Sequence, residues 1–206
     1  MSIRPDSEET RENAARVVAS GGVIAFRTDT FYGLGANPLN AKAVQRIRAI
    51  KGRDEGNPIL LLIGELGEVK RLTKFEPPLF RVIATHLWPG PLTIVLPAIA
   101  ALPHEVTADS GSIGLRLPDD DSLRELVMTC GGVLTATSAN PSGSEPARSA
   151  LQVVDYFPTG IDLIIDGGVV TTTQPSTVID LTCDPPRIIR EGAVSRAELE
   201  AISGFD

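Results

Sequence analysis

The sequence predicts a single mixed α/β domain, a twisted sheet with helices packed on its faces. Three observations carry this. Apolar runs of strand length recur along the whole chain, at VIAF (23–26), ILLLI (59–63), LTIVL (92–96), IGLRL (113–117), VLTA (133–136), DLIID (162–166), STVIDL (176–181) and RIIR (187–190), and they outnumber the long amphipathic segments. Several are joined by irregular loops, which argues for a mixed sheet and against strict βαβ alternation. Finally, 206 residues with 42% hydrophobic content suffice for one sizeable core, and no repeat, low-complexity stretch or linker divides them, so residues 1–206 are expected to form one unit.

Asp6, with Glu9 three residues on, resembles a capping box and predicts a helix over about 7–20, stopped by Gly21-Gly22. The strand VIAF follows, and TDTFYGLGANP reads as a loop. Asn40 caps a second helix with Val44, Ile47 and Ile50 on one face, ending at Lys51-Gly52-Arg53. ILLLI has the continuous apolar character of a strand covered on both faces. A short helix is expected over 65–72. Another starts at Pro77-Pro78, with Leu79, Val82, Ile83 and Leu87 as its stripe. Trp88-Pro89-Gly90-Pro91 is a sharp turn. The later strands are separated by helices near 120–130 and 149–156, and a last helix covers about 195–202.

Composition excludes several classes of function. A net charge of −7 argues against a generally basic nucleic-acid binder, although it leaves room for a local basic cleft. Two distant cysteines and two scattered histidines offer neither a disulfide framework nor structural zinc spacing, so no metal-ligating set is expected. The N-terminus has no apolar signal core and no apolar run approaches spanning length, so a cytoplasmic protein without membrane contact is expected. There is no P-loop, no complete dinucleotide fingerprint and no nucleophile elbow.

What remains is a set of polar residues where strands or helices end: Thr28, Asp29, Thr30 and Tyr32; Lys51 and Arg53; Arg116 inside an otherwise apolar strand; Ser138 and Asn140; Ser176 and Thr177; and Arg190. The stretch TATSANPSGSEPAR (135–148) poses the choice most sharply. Its small hydroxyls and amides suit any tight loop, and they equally suit an anion held at a strand's carboxyl end. Lys51 and Arg53 can be solvated charges favoured by a helix C-terminus, and Arg116 can simply pair with an acid. Together the four cations and the hydroxyl and amide groups form an inventory for a polyanion such as a nucleoside triphosphate. Spacing does not show that they converge.

TDTFYGLG, KGRDEGNPI, WPGPLTIVL, IGLRLP, TATSAN, PSTVIDL and IIREG occur in this order over roughly residues 7–195. In that order they resemble the YrdC-type threonylcarbamoyl-AMP synthase family. The resemblance implies a twisted mixed sheet with a large, positively charged concave cleft. It implies an L-threonylcarbamoyladenylate synthase, a nucleotidyltransferase that makes threonylcarbamoyl-AMP and pyrophosphate from L-threonine, bicarbonate or CO₂, and ATP with Mg²⁺. The product would feed tRNA threonylcarbamoyl-transfer enzymes acting at adenosine 37, and weak RNA binding is part of the expectation. The family's K-x-R and S-x-N motifs fall on Lys51, Arg53, Ser138 and Asn140, with Arg190, as the ATP and phosphate group; Lys51 and Arg53 are the implied catalytic residues. Thr28, Tyr32, Arg116 and Ser176 are the implied threonine group.

This chain departs from the family pattern at three places. Arg27 stands where the family has Pro before T-D-T, Asp54 where it has Pro after K-x-R, and Leu62 where some members carry His. The YciO-like branch lacks an intact K-x-R and S-A-N; both are intact here, which favours the synthase branch. The chain ends soon after IIREG, so it is expected to lack the extra C-terminal domain of the longer, Sua-type members. The competing reading is a module for structured RNA using the same concavity. The acidic net charge and the absence of aromatic-basic interleaving weigh against it. A carbamoyl-transfer accessory domain, like those in hydrogenase-maturation proteins, fits the free-standing length less well.

Overall fold

A computed structural model describes residues 1–52, 56–172 and 174–204. Its strands are β1 (Ser2–Pro5), β2 (Ile24–Arg27), β3 (Tyr32–Gly35), β4 (Leu60–Ile63), β5 (Leu92–Pro97), β6 (Ser112–Arg116), β7 (Val133–Ser138), β8 (Leu163–Asp166), β9 (Thr177–Asp180) and β10 (Arg187–Arg190). They form one sheet in the order β1-β8-β2-β3-β7-β4-β6-β5-β9-β10. The pairs β1–β8, β8–β2, β4–β6 and β5–β9 are parallel and the others antiparallel, so the sheet is mixed, as the irregular connections require.

The helices are α1 (Glu8–Ala19), α2 (Ala41–Lys51), α3 (Val69–Leu72), α4 (Pro78–Leu87), α5 (His104–Thr107), α6 (Asp121–Thr129), α7 (Ala150–Tyr156) and α8 (Arg196–Ser203). The cap of α1 is Ser7, whose Oγ accepts from Thr10 N at 3.2 Å; Asp6, expected in that role, instead holds Arg11 at 2.8 Å. The buried stripe of α4 is Phe80, Ile83 and Ala84, with Leu79 and Leu87 partly buried; Val82 is exposed. Phe80 meets Trp88 edge-on, ring centroids 5.7 Å apart, which ties the helix to the WPGP turn.

Three elements were not legible. β1 is a short, mostly exposed edge strand, too brief for a periodicity argument. α5 is a single turn. β3 lies inside the segment read as a loop. Its two glycines lower strand propensity, yet Gly35 is needed because a Cβ there would lie 2.6 Å from the Phe26 ring and 3.0 Å from the Thr135 carbonyl.

Side-chain alternation divides the sheet into two faces. Leu61, Ile63, Ile94, Leu96, Ile113, Leu115 and Ile179 join the larger core, with residues of α2, α4, α7 and α8. On the opposite face, Ile24, Phe26, Leu134, Leu163 and Ile165 are covered by Ala14 and Val18 of α1 and by Leu123, Leu126 and Val127 of α6. These two helices pack against one half of that face. Beside them, the outward positions of β4, β5, β6, β7 and β9 line a cavity.

Thr135 fastens β7 to the end of β3. It is fully buried; its Oγ1 accepts from Ala36 N at 2.8 Å, and its own N donates to Ala36 O at 3.0 Å. Thr135→Val preserves shape but leaves the Ala36 N–H without its acceptor. Urea unfolding is expected to show a loss of about 1–3 kcal/mol, the cost of a buried unsatisfied donor.

Candidate functional site

The cavity, about 500 Å³, brings seven of the sequence-derived candidates together: Thr28, Thr30, Tyr32, Arg116, Ser138, Ser176 and Arg190. Its floor is the alternating face of the sheet, with Leu60 and Leu62 from β4, Thr93 and Val95 from β5, Gly114 from β6, Ala136 from β7 and Val178 from β9. Pro146 and Pro175 stand at its walls. Gly114 keeps the floor open, because a Cβ there would crowd the Thr93 methyl at 3.1 Å.

Arg116 is 3% exposed. Its Nη2 donates to the Asp29 carboxylate and its Nη1 to Thr30 Oγ1 at 3.3 Å. Its Nε is buried with no hydrogen-bond partner among the described residues. Burial pushes the guanidinium pKa down; Asp29 opposes this and the nearby Arg190 adds to it. Desolvation likewise lowers Arg190. Arg190 donates to Ser176 O at 2.8 Å and to Ser176 Oγ at 3.2 Å, while Ser176 Oγ lies 3.1 Å from Thr93 Oγ1. Two desolvated guanidiniums thus face one cavity, Asp29 is held against Arg116, and a buried donor is left unmatched beside them. This is an environment in which an anionic ligand is favoured.

Thr28 and Tyr32 line the cavity with their polar groups already engaged. Thr28 Oγ1 donates to Phe31 O at 2.6 Å and accepts from the Thr30 and Phe31 N–H groups, closing the β2–β3 turn. Tyr32 Oη donates to Gly168 O at 2.9 Å, lies 3.2 Å from Asp166 Oδ1, and accepts from Gly167 N at 3.2 Å. Burial first, and Asp166 second, push its pKa up to about 12.

Lys51 does not line the cavity. It is 3% exposed at the last turn of α2, and its Nζ donates to the carbonyls of Ser138 and of Asn140, the latter at 2.7 Å. Ser142 N returns a bond to Lys51 O at 2.9 Å. Gly52 follows in the left-handed region at φ 60°, allowing the helix to stop there. Asn140 is also turned into its loop: Nδ2 donates to Ser144 O at 2.7 Å and Pro141 O at 3.0 Å, while Oδ1 is buried without a partner among the described residues. Arg53 and Asp54 lie outside the described residues. Of the departures, Arg27 pairs with Asp120 at 3.0 Å and Leu62 forms part of the apolar floor.

Sequence reasoning missed Thr93 and Asn57. Thr93 carried the signal that Arg116 carried, a polar residue alone in an apolar strand. Thr177 was noted for its hydroxyl but points away from the cavity, accepting from Gly192 N at 2.8 Å and Val194 N at 3.1 Å. Gly192 permits this, since any Cβ there would collide with Pro175 O at 2.2 Å. Among the described residues, no three His, Cys, Asp or Glu side chains come together as a metal cage. No helix among them is long and apolar enough to cross a membrane.

A family model covering Sua5, YciO and YrdC, described as "Telomere recombination", matches residues 16–192. The chain belongs to the Sua5/YciO/YrdC family. Members of this family named threonylcarbamoyl-AMP synthase include one from Pyrococcus abyssi, 38% identical over 99% of this chain, and one from Thiobacillus denitrificans, 34% identical over 88% of it. This chain spans 60% of the length of the first and 96% of the second. The crystal structure of P. abyssi Sua5 complexed with L-threonine matches with a TM-score of 0.93 at 36% identity, over 98% of this chain and 59% of that one. E. coli YciO, over 93% and 94% of the two chains, gives a TM-score of 0.82 at 31% identity.

Two outcomes follow from the geometry. Lys51→Met removes a buried donor from two carbonyls, so thermal unfolding is expected to show a loss of stability of about 1–3 kcal/mol even without ligand. This differs from the effect expected of a lysine held for phosphate alone. Tyr32 ionises at 10.0 when unfolded and at about 12 when folded, so its contribution is intact below pH 10 and is lost as pH rises toward 12. Cys130, raised by burial from 9.0 to about 12, adds a loss in the same direction. Tyr32→Phe should therefore show a shallower fall in urea midpoint between pH 9 and pH 11 than the parent protein.

Proposed function

We propose that the chain is an L-threonylcarbamoyladenylate synthase, joining L-threonine, bicarbonate or CO₂, and ATP into threonylcarbamoyl-AMP with release of pyrophosphate. The observation that carries this reading is the pair of desolvated guanidiniums, Arg116 and Arg190, in one cavity with Ser176, Thr93 and Ser138. A Thiobacillus relative named threonylcarbamoyl-AMP synthase, 96% of whose length this chain spans, supports placing the activity within this part of the family's sequence. The threonine complex of the Pyrococcus relative supports the amino-acid substrate.

In this reading the amino-acid carboxylate sits against Arg116, whose Nε supplies the unmatched donor. Asp29 and Thr30 hold the other side of the fork. The neutral threonine amine attacks CO₂: the new N–C bond forms as one C–O π pair moves onto oxygen, and the nitrogen gives a proton to solvent, leaving a carbamate. One carbamate oxygen then attacks the α-phosphorus of ATP, and the bond from that phosphorus to the bridging oxygen breaks as pyrophosphate leaves. From bicarbonate, one water is released as well. No side chain need take a proton in the phosphorus step. The protein's task is to position the reactants and neutralise the polyphosphate, which suits a site without catalytic His, Cys or paired carboxylates.

Ser138, Arg190 and Arg53 are the groups we assign to the nucleotide, with Lys51 and Asn140 shaping the loop that presents Ser138. Mg²⁺ would arrive on the triphosphate oxygens and add cationic charge there. The product is a mixed anhydride, and its consumer would be an enzyme transferring the threonylcarbamoyl group to tRNA adenosine 37.

Mass spectrometry of a mixture of threonine, bicarbonate, Mg²⁺, ATP and the protein is expected to reveal threonylcarbamoyl-AMP and pyrophosphate, both absent when ATP is omitted. Arg116→Gln should lower kcat/KM for threonine by about 10²–10³-fold, the scale of removing one preorganised charged group. Lack of product from the parent protein would sink the assignment.

A further inference from the structure

Arg48 is buried, 8% exposed, one helical turn before Lys51 on α2. Residues three apart on a helix share a face. These two cations nevertheless reach different loops. Lys51 donates to Ser138 and Asn140, as described above. Arg48 donates through Nε to Glu105 O at 2.8 Å and through Nη2 to Asn57 O at 2.9 Å. Asn57, Pro58 and Ser138 all line the cavity. The Asn57 wall is also tied to the loop around α5, because Ile59 N donates to Val106 O at 2.9 Å. α5, which holds Glu105, is further braced on α2 by Gln45, whose Nε2 donates to Glu105 Oε1 at 2.7 Å.

We propose that Arg48 is a positioning residue. With Lys51 it makes the last turn of α2 a two-pronged clamp that sets the separation of the Asn57 and Ser138 walls at the nucleotide end of the cavity. Arg48 touches no substrate; it acts through the Asn57 carbonyl. Guanidinium suits this role because a rigid fork can bridge two carbonyls from different loops, and a point-charge ammonium fixes them less well. The threonine end rests on Thr28, Arg116 and Ser176, which Arg48 does not contact. The clamp therefore bears on one substrate only. This placement of the two ends rests on the function proposed above.

The test uses Arg48→Met and the milder Arg48→Lys in the full chain. Hydrogen exchange without ligand is expected to quicken at the Ile59 amide by about 10-fold or more in Arg48→Met, with Arg48→Lys between it and the parent, and with the Ser142 amide unchanged. In steady-state product formation, KM for ATP should rise about 10-fold in Arg48→Met and less in Arg48→Lys, while KM for threonine stays at the parent value. A residue serving only global stability would lower the active fraction and move neither KM. Parent-like exchange at Ile59 in both variants overturns the clamp, as does an unchanged KM for ATP or an equal rise in both KM values. If Arg48→Met does not fold, Arg48→Lys carries both measurements. Should the parent protein make no product, the synthase assignment fails and the exchange rates alone decide the clamp.

Discussion

The ammonium of Lys51, held between the carbonyls of Ser138 and Asn140, is the interaction on which the site's form depends. A buried cation is costly unless its donors are satisfied, and a loop rich in turns leaves carbonyls that need donors. Each requirement is met by the other. With that bond in place, β7 can end at the cavity with Ser138 presented and Ala139 and Asn140 turned inward. Ala139 N then donates to Tyr32 O at 2.7 Å, and Tyr32 N to Ala147 O at 2.9 Å, so the loop is stitched to β3 as well as to α2. A helix, a strand end and a loop distant in sequence are joined through one side chain.

Elsewhere in the cavity charge governs. Arg116 and Arg190 repel one another across a desolvated space with Asp29 as the carboxylate drawn against Arg116. Burying a guanidinium with a donor unmatched costs stability in the free protein. That cost is understandable where a ligand supplies the missing acceptor. Apolar floor residues such as Leu62 and Val95 line the same cavity and offer the pair no polar partner.

Much of this was legible in the sequence. The apolar runs gave eight of the strands, and the position of Arg116 within IGLRL marked it as a residue with a purpose other than packing. β3 was hidden because YGLG is a strand only between Phe26's strand, across a short turn, and Thr135's strand, far along the chain. The role of Lys51 was hidden for a related reason. A lysine at a helix C-terminus looks the same in sequence whether its ammonium meets solvent, a phosphate or two carbonyls of a loop 87 and 89 positions away. Arg48 gave no sign at all, since arginine is common on helix surfaces and only its burial sets it apart.

The alternation of β5 and β6 has a further implication. Leu92, Ile94 and Leu115 belong to the larger core, while Thr93, Val95 and Arg116 look the other way into the cavity. Core and cavity are thus two sides of a single ribbon, read at odd and even positions. A slip of one residue in pairing would send Arg116 and Thr93 into the oil and Leu115 and Ile94 into the cleft. No slipped form can keep a working site on a damaged scaffold, or a sound scaffold under an altered site. The same arrangement frees the cavity-facing positions to vary singly, so ligand preference in such a protein can drift without the hydrophobic interior being rebuilt.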